Sequence, residues 1–330
     1  MQEGAKGPAR PPIGIAFEGD LAQRIDAVLA IALLNGFAAK TQARSIAIAI
    51  SRPSLKSAQF AEVLARFYSP RPAMIGVPEG AAPADDSPAL AGTLSEKNAE
   101  GAPRYTSTIK RLLDTPDNAV LIRNNLLAQH DGNARIVTAG PATGLARLLG
   151  LFGARPQIQT KVERLVMTAG SLPAGPPDPA IAADVASARK IFSEWPTPVV
   201  VVGAEVGEAL PYPGASIEKD FTWAPAHPVA DAYRAAKAMP YDAPAPALAA
   251  MLYAVKPGET FFKVSDPGTI TVSDDGRLRF APAADGRHRY LIVDAAQKDK
   301  VLETYLAMVP AKPAPGPGRG RGGAALESET

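Results

Sequence analysis

Three carboxylates crowd the end of one apolar segment and the start of the helix predicted after it. Glu18 and Asp20 come directly after residues 13–17, and Asp26 lies at the start of the next apolar run. Carboxylates at a helix N-terminus often only cap the helix and complement its dipole. Several carboxylates that converge without matching lysines or arginines repel one another unless a hard cation neutralises them. The cluster is therefore either a set of helix caps or a cation site.

The elements that must position these residues alternate between strands and helices. Apolar segments at 13–17, 45–50, 135–138, 164–168 and 198–202 predict strands, and those at 25–37, 57–68, 118–129, 143–151, 182–195 and 297–308 predict helices. The β-branched run at 198–202 is typical of a strand buried on both faces. The repeated order predicts an α/β fold, with a mostly parallel central sheet flanked by helices. Ligands bind beyond the carboxyl ends of such strands, where Glu18 and Asp20 lie.

Proline and glycine, with 33 and 28 residues, mark the boundaries of this domain. Residues 1–12 are expected to be a disordered lead-in, and 310–330 a disordered tail rich in Pro, Gly and Arg. Residues 78–104 have no apolar periodicity, which predicts a long mobile loop inside a single α/β domain at 13–309. Residues 269–280 predict a hairpin that turns at Asp274, Asp275 and Gly276.

Composition excludes several classes of function. The net charge of +2 is too balanced to favour nucleic acid or a membrane surface, and two arginines in the tail are too few to predict RNA binding. The absence of cysteine excludes disulfides and thiolate metal sites. No phosphate-binding loop, dinucleotide fingerprint or zinc-ligand histidine pattern is present. We expect a cytoplasmic protein with a small-molecule ligand; a secreted or periplasmic form and a homo-oligomer stay open.

Residues 17–30, FEGDLAQRIDAVLA, resemble the Asp-x-Asp-x-x-x-Asp-Asp signature of the inosine-uridine-preferring nucleoside hydrolases. Glu18 takes the place of the first aspartate, Asp20 that of the second and, with one inserted residue, Asp26 that of the last. Ile25 stands where the family has a ribose-binding aspartate. Residues 119–146, 164–170, 178–180 and 241–244 are similar to later family segments in the same order, so the resemblance covers about 13–308.

The resemblance implies a calcium-dependent hydrolase of the N-glycosidic bonds in nucleosides or related compounds. Its calcium ligands would be Asp20, Asp26, Asp242 and the main-chain carbonyl of Ala139. Such oxygen ligands are the kind that calcium takes. By the same resemblance, Asp20 would also orient or deprotonate the attacking water, which the cation acidifies.

The residues expected to contact the substrate depart further from the family. Tyr241 replaces the histidine that protonates the leaving group, and His227 is an alternative acid. Trp223 is a candidate for stacking on a base, and Asp178 replaces a glutamate that binds ribose. Arg52 adds a cation beside the pocket, which suggests an anionic group on the ligand.

Two functions therefore stay open. The first is a divergent hydrolase, since the oxygen ligands for calcium are still present. The second is a non-catalytic binding protein that keeps the fold with a degraded site. Ile25 and Ala180 favour the second, because they lack the polar groups that hold the sugar in the family, and a site built to bind hydroxyls weakens strongly when its partners are lost.

Overall fold

The computed structural model describes residues 11–79, 81, 83, 85, 87–258 and 260–313. Nearly all of the predicted lead-in and tail lies outside these residues. No helix in the described part of the chain is long and apolar enough to cross a membrane.

A central sheet organises the molecule, and its first seven neighbouring strands are parallel. The strand order is β3-β2-β1-β4-β5-β6-β10-β8-β9, with β7 paired to β10, and the antiparallel pairings are those of β7, β8 and β9. The predicted sheet and hairpin are thereby confirmed. The strands of the described residues are β1 Ile13–Gly19, β2 Ala43–Ile50, β3 Ile75–Gly76, β4 Ala134–Ala139, β5 Val162–Thr168, β6 Val199–Val202, β7 Lys263–Val264, β8 Gly268–Val272, β9 Leu278–Pro282 and β10 His288–Ile292.

Helices cover both faces of the sheet. Within the described residues they are α1 Ile25–Ala39, α2 Leu55–Tyr68, α3 Pro88–Ser95, α4 Asn118–Leu127, α5 Thr143–Gly150, α6 Ala154–Lys161, α7 Pro179–Ala182, α8 Val185–Glu194, α9 Ala204–Ala209, α10 Gly214–Lys219, α11 Pro228–Ala236, α12 Pro246–Val255 and α13 Ala295–Met308, with a short 3-10 helix at Leu112–Asp114.

Alternate residues of each central strand face opposite helical layers. Val200 and Val202 of β6 join the apolar cluster formed with α1, α2, α11, α12 and α13. Val199 and Val201 join the cluster formed with α4, α5, α6 and α8. Because both faces are covered, every position of the strand is apolar, which explains the uninterrupted valine run.

The loop predicted at 78–104 is wrong over part of its length, because Pro88–Ser95 forms α3. Pro88 occupies the first turn, where its fixed φ suits a helix start. Only Leu90 and Thr93 of α3 are buried, against α11 and α2, so the helix has no apolar periodicity. Arg104 at the end of the segment forms an ion pair with Asp231 of α11.

The strand order reverses direction at β1, which has β2 on one side and β4 on the other. The carboxyl ends of β2, β1, β4 and β5 therefore lie side by side. Arg52, Asp20, Ala139 and Thr168 stand at or just after these four ends. A reversal of this kind opens the crevice in which doubly wound α/β proteins bind ligands.

Glu18 lies on β1 but points away from solvent and is fully buried. Asn118 Nδ2 donates to its Oε1 at 2.6 Å, and Thr138 Oγ1 lies 3.4 Å from its Oε2. A Cβ on Gly144 would lie only 2.0 Å from Oε1, so α5 needs glycine at this approach. Burial raises the pKa of Glu18 to about 8. The group is thus a protonated packing residue between β1, α4 and α5.

Glu18 should make the protein less stable as the pH rises. Its carboxyl keeps its proton up to pH 8 when folded but loses it near pH 4.5 when unfolded, so the folded state binds more protons between these values. Wild type should therefore lose unfolding free energy between pH 5 and pH 8. Glu18→Gln cannot ionise, so its loss over the same range should be smaller by roughly 2–4 kcal/mol. Urea unfolding at both pH values measures this, with the exposed Glu303→Gln as control. An unchanged pH dependence in Glu18→Gln would contradict the assignment.

Candidate functional site

A cavity of about 460 Å³ opens beyond the carboxyl ends of β1 and β2, beside the loop between β5 and α7. The position agrees with the crevice expected from the strand order. The polar side chains that line it come from four segments and are mostly charged, namely Asp20, Gln23, Arg24, Arg52, Asp85 and Asp178.

Arg24 and Asp26 form a two-pronged ion pair at the start of α1. Arg24 Nε lies 3.1 Å from Asp26 Oδ1, and Nη2 lies 2.9 Å from Oδ2. The third nitrogen of Arg24, Nη1, donates to Thr168 Oγ1 at 3.0 Å. Asp26 Oδ2 also accepts a 2.8 Å bond from the main-chain N–H of Ala247, in the first turn of α12. The pair thus connects α1, β5 and α12.

Arg52 neutralises the second carboxylate of the cluster. Its Nε donates to Asp20 Oδ2 at 2.8 Å. The side chain of Asp20 is 4% exposed and that of Arg52 is 21% exposed, so the pair forms part of the cavity wall. The premise that the carboxylates converge without arginines is therefore wrong for Asp20 and Asp26, because each of these two has its own guanidinium.

The electrostatics favour the charged form of Arg24. Burial disfavours the guanidinium most strongly, but attraction from Asp26, Asp178 and Asp20 outweighs it, and the pKa of Arg24 is raised. A cation is thus already present among these three carboxylates.

Asp178 lines the cavity, but main-chain groups already occupy its carboxylate. Oδ1 accepts bonds from the N–H groups of Ala180 at 2.7 Å and Ile181 at 3.1 Å, which caps α7. Oδ2 accepts a 2.7 Å bond from the N–H of Gly170. The chief role of Asp178 in this arrangement is to hold the loop after β5 against the cavity.

Of the residues predicted as calcium ligands, Asp20 and Asp26 both act on Arg24, whereas Asp242 and the Ala139 carbonyl accept bonds from main-chain N–H groups. Asp242 is exposed, and its Oδ1 accepts a 2.9 Å bond from the N–H of Gly214. Asp242 does not cap the helix that follows it, because α12 begins at Pro246 and the residue before it is Ala245. The Ala139 carbonyl accepts a 2.9 Å bond from the N–H of Asp20. No three His, Asp or Glu residues of the described chain form a group that could hold a metal.

Tyr241 lies outside this cavity. Its ring stacks on that of Tyr233 with centroids 4.4 Å apart, and its hydroxyl donates to the Tyr233 carbonyl at 2.8 Å. Burial raises its pKa to about 12. Tyr241 instead lines a neighbouring cavity of about 350 Å³, which shares Gln23 and Arg24 with the first.

His227 and Trp223 also lie away from the cavity. The imidazole is buried among the rings of Phe67, Tyr68, Phe221 and Trp223, with centroid distances of 4.6, 6.0, 4.7 and 5.0 Å. Neither of its nitrogens has a hydrogen-bond partner in the described part of the chain. Trp223 Nε1 donates to the Pro310 carbonyl at 2.8 Å, just after α13. Both residues belong to a packed aromatic cluster rather than to the lining of the cleft.

Sequence reasoning missed the two residues that complete the site. Arg24 lies in the segment 17–30 that carries the carboxylates, but the resemblance gives it no role. Thr168 is predicted only as the last residue of a strand. One signal was available, since Arg24 stands two residues before Asp26, within reach of its carboxylate. Thr168 had no such signal, because its partner is 144 residues away.

His227 should destabilise the protein as the pH falls. Burial lowers its pKa from 6.5 to about 4, so between these values the unfolded state binds the proton and the folded state does not. Wild type should therefore lose unfolding free energy between pH 7 and pH 5. In His227→Phe this loss should be smaller by about 2 kcal/mol. Urea unfolding at both values tests this, and the exposed His130→Phe is the matched control. The same acid sensitivity in His227→Phe and wild type would refute the prediction.

No family model matches the chain. No curated protein matches its sequence either. Among solved structures, an inosine-uridine preferring nucleoside hydrolase from Bacillus anthracis is 14% identical, with a TM-score of 0.67 over 90% of this chain and 99% of that one. A purine-preferring ribonucleoside hydrolase from Gardnerella vaginalis is 15% identical, with a TM-score of 0.66 over 90% and 98%.

A third similar structure is the type III effector protein XopQ, complexed with adenosine diphosphate ribose. It is 13% identical, with a TM-score of 0.59 over 92% of this chain and 94% of that one. All three likenesses span nearly the whole of both chains at low identity. The chain therefore has the fold of the nucleoside hydrolases, as the resemblance predicts, in a strongly divergent form.

Proposed function

We propose that the cleft binds a ribosyl compound carrying an anionic group such as phosphate, and that the chain is a binding protein on a nucleoside hydrolase fold. The observation that carries this proposal is the pairing of Arg52 with Asp20 in the wall of the cavity. The pairing occupies one oxygen of the carboxylate that hydrolysis would require and leaves part of a guanidinium facing the ligand space.

Arg52 is the group suited to an anion. Its Nε is held by Asp20, whereas its two terminal nitrogens donate to no other described residue. A guanidinium fixed on one side presents its remaining N–H groups to a phosphate in a set orientation, which is the geometry arginine favours for such groups. Arg24, by contrast, already uses all three of its nitrogens.

The ribosyl part of the proposal comes from the fold and the shape of the cleft. The similar solved structures include nucleoside hydrolases and an effector complexed with adenosine diphosphate ribose. The cavities of about 460 and 350 Å³ adjoin at Gln23 and Arg24. Two adjoining cavities suit a ligand longer than a nucleoside, with an anionic link between its ends.

Binding rather than hydrolysis also agrees with the placement of the expected acids. The hydroxyl of Tyr241 is tied to a main-chain carbonyl, and His227 is enclosed by aromatic rings. An acid must reach the leaving group directly or through one water to protonate it. Neither side chain lines the cavity that contains Asp20.

Calorimetric titration with adenosine diphosphate ribose, ribose 5-phosphate and adenosine tests the proposal. The two phosphorylated compounds should bind more tightly than adenosine. Arg52→Ala should weaken them about tenfold or more, because a charge-assisted hydrogen bond is lost. Arg277→Ala, which removes an exposed arginine of the β8–β9 hairpin, is the control and should have no effect. Equal affinity of wild type and Arg52→Ala for the phosphorylated compounds would rule out this role of Arg52.

Hydrolysis of an N-ribosyl bond is the second candidate, and one observation favours it. Asp20 Oδ1 accepts only a long 3.3 Å bond from the N–H of Gln23 among the described residues, so this oxygen can accept a proton from a water in the cavity. Release of the free base from nucleosides, or of adenine from adenosine diphosphate ribose, abolished in Asp20→Asn, would replace binding by hydrolysis as the function. No release from any of these compounds is expected.

A further inference from the structure

We infer that Arg24 is a built-in counter-ion that takes the place of a divalent cation among the carboxylates of the cleft. The chain accordingly keeps this site neutralised without calcium, and removing the guanidinium opens the position to a divalent ion. The inference concerns the charge balance of the site and holds whichever ligand the cleft binds.

The position of Arg24 is central rather than peripheral. Its guanidinium contacts both oxygens of Asp26 and reaches Thr168 across the end of β5. Attraction from Asp178 and Asp20 acts on the same group. Its side chain is 24% exposed, and that of Asp26 is 6% exposed, so solvent screens the attraction between them only in part. One fixed positive charge thus serves three carboxylates from different segments.

The oxygen atoms needed by calcium are already engaged. Calcium takes six to eight oxygen ligands. Asp26 Oδ1 faces Arg24, and Oδ2 accepts from both Arg24 and the N–H of Ala247. Asp20 Oδ2 accepts from Arg52. A divalent ion would have to displace these donors while facing two guanidinium charges, so the described donor set does not fit calcium.

The local backbone explains why an arginine can occupy this place. Arg24 is the residue before α1, with the extended backbone angles φ −135° and ψ 103°. Its side chain makes no capping bond to the helix. The guanidinium instead donates to the carboxylate of Asp26 in the first turn of α1.

Calcium titration of the chelator-treated full chain tests the inference, by calorimetry and by melting temperature. Wild type should give no binding heat and the same melting temperature in chelator and in millimolar calcium. Arg24→Ala should melt lower in chelator, because Asp20, Asp26 and Asp178 then repel one another. Calcium should recover at least half of that loss and should bind Arg24→Ala with a stoichiometry near one.

Three further variants keep the test specific. Arg24→Lys retains the charge and should not respond to calcium, and the double variant Arg24→Ala/Asp26→Asn should lose the response. Arg147 also bridges two carboxylates, Glu79 and Asp117, on the outer surface. Arg147→Ala is therefore the matched control and should not respond. If Arg24→Ala does not fold in chelator, Arg24→Gln gives the same comparison while keeping an amide at the site.

Two outcomes would overturn the inference. One is stoichiometric calcium binding by wild type that is lost in Asp26→Asn. The other is a folded Arg24→Ala or Arg24→Gln with no response to calcium. Failure of the proposed ligand function has a different signature, namely absent binding of adenosine diphosphate ribose with the calcium results unchanged.

Discussion

The ion pair between Arg24 and Asp26 is the interaction on which the cleft depends. It fixes the start of α1, reaches Thr168 at the end of β5, and through Asp26 binds the N–H of Ala247 in the first turn of α12. Three elements far apart in the chain thus meet at one almost buried pair. Breaking a buried pair by removing one partner leaves an uncompensated charge, so neither side chain can change alone without cost to the geometry around it.

The fold was largely predictable, because the physical signals for it are local and repeated. The valine run at Val199–Val202 indicates a strand covered on both faces, and the alternation of such runs with helices specifies a parallel sheet. Helix α3, Pro88–Ser95, was missed for the converse reason. It buries only Leu90 and Thr93, so its stability depends on contacts with α11 and α2 that no local pattern records.

The candidate site was predictable only where strand ends determine it. Asp20 and Arg52 follow neighbouring strands and meet in the cavity wall, as the parallel sheet requires. Asp242 and Tyr241 were assigned by the order of similar segments, which does not specify where a helix begins or which polar group is satisfied locally. Asp242 is exposed and lies before α12, which begins at Pro246.

A guanidinium and a divalent cation solve the same electrostatic problem with different chemical consequences. Both neutralise carboxylates that would otherwise repel, so either one lets the strand ends pack and the cleft persist. Only the metal has open coordination positions and can acidify a bound water, whereas arginine donates hydrogen bonds and accepts none. The sheet and helices depend on apolar packing, which many sequences can provide. The chain thus resembles a nucleoside hydrolase with a TM-score of 0.67 at only 14% identity. The character of the cleft rests on a few charged side chains, and in the inference drawn above Arg24 would replace metal coordination there by hydrogen bonding.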